Sequence, residues 1–415
     1  MPPVDVDRLK AAVADRRDEL IELTQALVRE RSVVGEEEGA QRLITARLEA
    51  LGFEVERVVI GPPDLERETT WGYPPGACDG RSNVAGRIRG SSGGRSLHLS
   101  GHVDVVPVEL PERWAHDPWG AEIERDRIWG RGAGDMKSGL AAYLIGAAAF
   151  LETCGAPQGD LLFSSVIEEE CTGNGMKAVL AAGYEADDTL IGEPSDLRLM
   201  HAGVGVIWAR LSAYGGGAHP AFASSASSAT RILRALDALH ELELRLNAGE
   251  SSASDPRDAV FFGAHERPFR LNVGTLAGGE WPSSEPARAE ARVRLGFGRS
   301  LTPPAAQALV AEAVRAAAPG VEVEFEGFRA VAYCDDLAHD LARALGAAHA
   351  GLHGSAPQTQ VLAATTDARS VTGPCVCYGP VAGDIHGTDE WVDIDSVEAV
   401  AGAIAVTIAA LNCAS

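Results

Sequence analysis

The order of elements in this 415-residue chain predicts an α/β layered catalytic domain. Its central, mostly parallel sheet would be interrupted by an inserted ferredoxin-like α+β domain. Three observations support this. The length exceeds what one ordinary core holds, so two or three domains are expected. Strand-like runs alternate with helical stripes up to Ile191, the pattern of a layered parallel sheet. After Ile191-Gly-Glu-Pro-Ser the character changes to a β-α-β-β-α-β order spread over about 120 residues, the ferredoxin-like pattern. The expected division is therefore 1–202 and 327–415 for the catalytic domain and 203–326 for the insertion.

Residues 5–30 place Leu9, Val13, Leu20, Leu23 and Leu27 at helical spacing, widened by Ile21 and Val28, which predicts one amphipathic helix. A second helix is expected over Glu38–Leu51, ended by Gly52. Strands follow at Phe53–Val59, Asn83–Arg89 and Ser96–Val106, the last alternating His98, Ser100, His102 and Asp104 with apolar residues. An Ala-rich helix over Ser138–Glu152 and a strand over Leu161–Ile167 complete the first part. In the insertion the spacing predicts strand Val204–Ala213, a bend at Gly215-Gly-Gly, and helix Ser227–Leu246. Strands Leu271–Leu276 and Ala287–Phe297, helix Pro304–Ala318 and strand Val321–Phe325 come next. The tail after about Arg329 is helix-rich, with a strand-like run at Val371–Tyr378.

Composition is that of a folded chain, with 46% hydrophobic and 23% charged residues. The net charge of -23 argues against a nucleic-acid partner, which demands basic patches to meet phosphates. Solubility is its ordinary meaning. Arginine outnumbers lysine 33 to 3; codon bias explains that as well as anion recognition does. The seven cysteines (78, 154, 171, 334, 375, 377 and 413) include no C-x-x-C. Cys375 and Cys377 alternate on an apolar strand-like run, so buried free thiols are expected rather than zinc ligation, in keeping with a reducing cytoplasm. With no N-terminal apolar h-region and no run of about 18 apolar residues, neither export nor membrane insertion is expected.

Five segments concentrate chemistry. In Gly101-His-Val-Asp-Val-Val-Pro, His102 and Asp104 are two apart, so on a strand they share a side. A carboxylate there could steady a metal-binding imidazole, although H-x-D alone is more often an ordinary core or loop pair. In Trp129-Gly-Arg-Gly-Ala-Gly-Asp-Met-Lys-Ser-Gly, Asp135 precedes a helix; N-capping explains the aspartate but not the dense glycines. Glu168-Glu-Glu follows a hydrophobic strand, Gly192-Glu-Pro-Ser supplies another acid at a strand end, and Ile385-His-Gly-Thr-Asp-Glu a late histidine. Acids at strand ends of an α/β sheet fall where ligands bind. Two histidines with several carboxylates and no thiolate suit zinc and related divalent metals. A bridging carboxylate would hold two ions about 3.5–4 Å apart.

The ordered set G-H-x-D-x-V-P, G-R-G-x-x-D-M-K, E-E-x-x-G-x-G, G-E-P-S and H-x-x-D-E resembles the metallo-aminoacylase and carboxypeptidase G superfamily. Acetylornithine deacetylase and succinyl-diaminopimelate desuccinylase belong to that superfamily. The resemblance implies a two-zinc amidohydrolase, with Co2+ or Mn2+ as possible substitutes, acting on a small N-acyl amino acid or peptide. It implies that His102 and Glu193 hold one ion and Glu170 and His386 the other, with Asp135 bridging. Glu169 would be the general base, with Gly173-x-Gly175 setting the register of the glutamate triplet, and Asp104 would support His102. His219, in Gly-Gly-Gly-Ala-His-Pro, would help polarise the scissile carbonyl, often across a homodimer. Asn272 and Arg294 would hold the substrate carboxylate, for which a guanidinium fork is suited. Asp367-Ala-Arg369 resembles a further family segment, and Arg369 is counted among the candidate substrate-binding residues.

Two departures stand out. Ser138 occupies a position where many relatives have Gly, which is expected to be harmless at a helix start. Trp281-Pro-Ser-Ser-Glu-Pro replaces a more common segment and resembles a deacetylase-like subgroup. An N-acyl amino acid deacylase is thus the leading expectation. A dipeptidase or carboxypeptidase would share the site and differ in the pocket. A non-catalytic metal-binding paralogue would be expected to lack Glu169 or a ligand, and all are present.

Overall fold

The computed structural model describes residues 5–61, 71–72, 80–91, 93–222, 226–248 and 255–412. Cys78 and Cys413 lie outside these, as do two of the serines at 224–228. A nine-stranded mixed sheet forms the larger layer. In spatial order its path runs β1 (Glu54–Val59), β2 (Ser82–Ile88), β6 (Leu161–Val166) and β3 (Leu97–His102). It continues with β7 (Asp188–Ile191), β15 (Cys375–Cys377), β8 (Leu199–Gly203) and β13 (Tyr333–Cys334), while β14 (Thr359–Leu362) also pairs with β8. The centre is parallel: β3 pairs in parallel with both β6 and β7, and β7 with β15. Antiparallel pairs occupy the β1 side and much of the β8 side. Strands β3, β6 and β7 are buried along their whole length. They therefore read as apolar runs with few polar interruptions, as expected of a sheet covered on both faces.

Helices supply the cover. α3 (Glu38–Ala50) and α5 (Asn174–Ala181) pack on β1, β2 and β6; α4 (Ser138–Cys154), α9 (Asp340–His353) and α10 (Ile394–Asn412) pack on one another and on β3 and β15. α4 is buried from Ser138 to Phe150, which explains its Ala-rich, all-round apolar composition. α10 is long and apolar enough to cross a membrane, at mean hydropathy 1.8, but most of it is buried in this core. Its first turns carry Asp395 and Glu398, so it does not read as an unbroken apolar run. The single helix expected over 5–30 is two: α1 (Val6–Ala14) and α2 (Arg17–Arg29). No Gly or Pro marks the break. α1 packs on α4 and α10, whereas α2 also packs on the turn containing Asp135, so tertiary contacts impose it.

The insertion has its own four-stranded antiparallel sheet in the order β10 (Leu271–Gly278), β11 (Arg288–Phe297), β9 (Gly205–Tyr214), β12 (Glu322–Ala330). With α6 (Ser228–Ala248) after the first strand and α8 (Pro303–Ala317) before the last, this is the ferredoxin-like arrangement; the short α7 (Ala259–Ala264) is an addition. A separate apolar core joins these helices to one face of the sheet through Leu211, Val293, Ile232, Leu239 and Val310. A third sheet, β4 (Glu122–Glu124), β5 (Arg127–Trp129), β16 (Ala382–Gly383) and β17 (Trp391–Asp393), has strands of two or three residues. Runs that short carry no readable period, and none was expected from the sequence.

Cys375 and Cys377 are buried and unpaired, as expected. Ser138 starts α4, as expected, and is fully buried there, with no hydrogen-bond partner for its hydroxyl among the described residues.

The first turn of α4 lies against the ends of β3 and β7 at backbone contact. A Cβ on Gly139 would stand 1.9 Å from the Gly192 carbonyl oxygen, and one on Gly101 would stand 2.4 Å from Met136 Cε. Gly139→Ala is expected to lower the denaturant midpoint by the equivalent of about 1–3 kcal/mol, read by equilibrium unfolding, because neither backbone can move without carrying a site residue with it.

Candidate metal centre

Four of the candidate residues, His102, Glu169, Glu170 and Glu193, lie at the carboxyl ends of three adjacent parallel strands. His102 ends β3, the glutamate triplet follows β6, and Glu193 follows β7, the position where α/β sheets bind ligands. Asp135 enters from the glycine-rich turn before α4, and its peptide bond to Met136 is cis. His386 enters from the loop between β16 and β17. Glu168 and His386 have left-handed backbones, with φ of 67° and 63°, a conformation that non-glycine residues adopt at a cost and that clusters at functional sites.

Asp135 sits between the two imidazoles. Its Oδ1 is 3.1 Å from His102 Nε2 and its Oδ2 is 3.5 Å from His386 Nε2. Glu193 lies 3.9 Å from His102 Nε2, and Glu170 lies 3.2 Å from His386 Nε2. Two sets of donor atoms fall within 4.8 Å of one another: His102, Asp135 and Glu170, and His102, Glu169 and Glu193. The six residues thus form one continuous patch of nitrogen and oxygen donors.

The triplet divides by partner. Glu168 turns away to Arg81, at 2.5 Å, and to the Thr172 hydroxyl, at 2.7 Å. Glu170 faces His386. Glu169 faces the His102 and Glu193 side, with Arg369 Nη1 3.4 Å away.

The Asp104 carboxylate lies beside His102, with Oδ1 3.8 Å from Nδ1, but that nitrogen makes its hydrogen bond to the main chain. The Asp104 backbone carbonyl, not its carboxylate, accepts the His102 Nδ1 proton at 2.8 Å, which leaves Nε2 directed at Asp135. Beyond the end of β3 the strand alternation no longer applies. The Asp104 carboxylate also accepts the backbone N–H groups of Glu169, at 3.3 Å, and Glu170, at 3.0 Å. It therefore places the glutamate loop.

The charges around these residues ask for cations. Burial raises Glu193, and the neighbouring Asp135 charge raises it further. Burial also raises Glu169, with Asp367 and Glu193 adding to it. Burial would lower the His102 imidazole, but the hydrogen bond to Asp135 and the charges of Glu193 and Asp135 hold it well above its usual range. Burial opposes Asp135 ionisation, yet hydrogen bonds to both histidines keep its carboxyl well below the carboxylate range. His386, likewise lowered by burial and raised by Glu170 and Asp135, is pushed up to about 11. Protons on two imidazoles thus offset part of a buried acidic cluster. Divalent cations would offset it better, and the donor set fits them: imidazole and carboxylate, with no thiolate.

Sequence reasoning missed the clamp that joins the two distant loops. Glu390 accepts the backbone N–H groups of Gly134 and Asp135, each at 3.0 Å, and pairs with Arg131. Arg131 also donates to the Gly387 carbonyl at 3.0 Å. Both side chains are at most 2% exposed. The signal available was an arginine inside the glycine-rich turn and an acid just after His386.

The other candidates lie elsewhere. Among the described residues, no hydrogen bond or ion pair joins His219, Asn272 or Arg294 to the donor patch. His219 is exposed; its Nδ1 accepts the Ala221 N–H at 3.2 Å, its carbonyl accepts the Phe222 N–H at 2.9 Å, and its ring stands 5.8 Å from that of Phe222. Asn272 pairs in register with Arg294, Arg294 with Trp208, and Trp208 with Glu326, so the four share the sheet face opposite α6 and α8. Neighbouring Arg292 and Arg210 are matched by Glu326 and Glu324. Arg294 has no ion-pair partner among the described residues. Trp281 is 70% exposed.

Two outcomes are expected. Glu390→Gln leaves Arg131 buried without its counter-charge and is expected to cost about 3–5 kcal/mol; elemental analysis should show lost metal as well. Metal uptake has to displace the proton that the metal-free His386 carries below about pH 11. Apparent metal affinity should therefore fall as pH falls, by up to about tenfold per unit for each displaced proton, measured by competition with a chelator between pH 6 and 8.

The model of peptidase family M20/M25/M40 matches residues 98–410. A succinyl-diaminopimelate desuccinylase of Rhodospirillum centenum is 30% identical over 390 residues, covering 90% of this chain and 92% of that protein. One from Paracoccus denitrificans is 30% identical over 400 residues, with 92% and 95% covered. The fold matches that of the dipeptidase Dug1p from Saccharomyces cerevisiae, with a TM-score of 0.81 at 14% identity over 99% of both chains. It also matches human carnosine dipeptidase 1, with a TM-score of 0.79 at 14% identity over 99% of this chain and 100% of that one. With the family model spanning most of its length, the chain belongs to peptidase family M20/M25/M40 and is a metallohydrolase of that family.

Proposed function

We infer that this protein removes the acyl group from an N-acyl amino acid by hydrolysis, with two zinc ions as cofactor. The observation that carries the reading is Asp135, whose two oxygens face His102 and His386 while Glu169 lies beside the same patch. His102, Glu193 and Asp135 would hold one ion, and Glu170, His386 and Asp135 the other. The ions would supply Lewis acidity, making a water more acidic and polarising the amide carbonyl.

The chain's own residues then move the protons. Glu169, raised by burial, takes a proton from the attacking water as its oxygen bonds to the amide carbon. The same carboxyl passes the proton to the amide nitrogen as the carbon–nitrogen bond breaks. A carboxylic acid and a free amine result. Asp104 keeps Glu169 and Glu170 in place through their backbone N–H groups.

Arg294 favours an amino acid substrate. It lies beside Asn272 on the sheet face opposite α6 and α8, with no ion-pair partner among the described residues, and its planar fork suits a bidentate pair with a carboxylate. The curated desuccinylase relatives support an acyl amino acid over a longer peptide. His219 would reach the scissile carbonyl in a homodimer, which accounts for its exposed place on a glycine-rich bend.

Glu169→Gln is expected to keep two metal ions per chain while kcat falls about 10²–10⁴-fold. The assay would use N-succinyl, N-acetyl and N-formyl amino acids alongside dipeptides. Wild-type turnover in the variant would remove Glu169 from the role of base, and a metal-loaded wild type that cleaves none of these amides would sink the deacylase reading.

A further inference from the structure

We propose that Arg369 is a positioning residue that holds the Glu169 carboxylate, and not a contact for the substrate. The assignment rests on reading Glu169 as the base. Arg369 lies in the short 3-10 turn Asp367–Ser370 between β14 and β15 and is 8% exposed. Its guanidinium is engaged through Nη1, while Nη2 is buried with no hydrogen-bond partner among the described residues. Nη1 lies 3.4 Å from Glu169 Oε1 and 3.2 Å from Thr365 Oγ1. Nη2 lies 3.7 Å from Asp367 Oδ1. The plane stands 5.1 Å from the Phe328 ring.

Gly173 closes the slot. A Cβ there would stand 1.7 Å from Arg369 Nη2, and the residue has φ of +70°. This glycine directly precedes α5, in the loop that carries Glu169 and Glu170. Its lack of a side chain is what lets a guanidinium lie against that loop. The loop is thus fixed from two directions: the Asp104 carboxylate holds its backbone, and Arg369 holds one side chain. A substrate carboxylate could reach Nη1 only by displacing Glu169 or Thr365, which a substrate-binding arginine would not require. A cavity of about 280 Å³ is lined in part by Trp71, Lys177, Arg369 and Ser370, the side from which a small solute would approach.

The test compares Arg369→Ala, Arg369→Lys and Gly173→Ala in the metal-loaded full chain. Removing the fork is expected to lower kcat roughly 10–10²-fold, the effect of a slightly misplaced reacting group, with KM within about twofold of wild type and two metals retained. Arg369→Lys should fall between, because an ammonium keeps the charge and loses the fork. Added guanidinium should restore part of the kcat of Arg369→Ala and none of that of Glu169→Gln. A raised KM with unchanged kcat would make Arg369 a substrate contact and overturn the proposal. If Arg369→Ala does not fold, Gly173→Ala decides: it keeps the arginine but moves it, and wild-type kcat there overturns the proposal.

A readout independent of turnover separates this from the deacylase reading. In a double-mutant cycle of Arg369→Gln and Glu169→Gln on the protein as purified, the shifts in Tm should be non-additive. Additive shifts mean the two side chains are not coupled, whatever the enzyme cleaves.

Discussion

A single carboxylate organises the site. Asp135 offers one oxygen to each of two histidines that lie 284 positions apart in the sequence, and every other candidate donor is arranged around it. That placement depends on a backbone contact: the turn before α4 lies against the ends of β3 and β7, where Gly101, Gly139 and Gly192 leave no side chain in the way. Interiors are packed closely enough that one added methyl is felt. The glycines therefore act through distance, letting an aspartate at the start of a helix meet a histidine at the end of one strand and a glutamate at the end of another.

Crowded buried acids create the second constraint. Asp104, Asp135, Glu169, Glu193 and Asp367 are each held in surroundings where burial penalises the carboxylate. Acids nearby that do not face the donor patch are met by arginine: Glu168 and Glu37 by Arg81, and Glu390 by Arg131. A buried pair adds little net stability but is costly to break, so these pairs fix loop geometry more than they strengthen the fold. The composition's excess of arginine says nothing of this. Position does, since a planar fork can hold a carboxylate and a backbone carbonyl at once, as Arg131 does.

The inserted sheet follows different rules. One face is filled by apolar side chains from α6 and α8, and the other carries charged residues, with Arg210 meeting Glu324 and Arg292 meeting Glu326 across strands. Trp208 and Phe328 stack edge-on at 5.3 Å, and a Cβ on Gly327 would meet Trp208 on one side and the Cys171 carbonyl on the other. The base of the insertion is thus seated on the loop that carries Glu169 and Glu170, while His219 lies on an exposed bend.

Much of this was legible in the sequence. Period and element order were enough for the two sheets, the buried α4 and the ferredoxin-like insertion, because long apolar patterns report burial directly. The ordered motifs named the six residues of the donor patch, each at a strand end or a glycine-rich turn. What escaped were features with no local signature. The break between α1 and α2 comes from packing on different partners, and the small third sheet has strands too short to show a period. The Glu390–Arg131 clamp joins segments about 260 positions apart. The Asp104 carboxylate lies near His102, but the strand ends at His102, so the carbonyl makes the hydrogen bond to the imidazole and the carboxylate also meets the glutamate loop. By itself the sequence determined which side chains carry the chemistry, since residue type and spacing are local properties. Only the tertiary structure decided which atom of each faces which partner, because that depends on where distant segments come to rest.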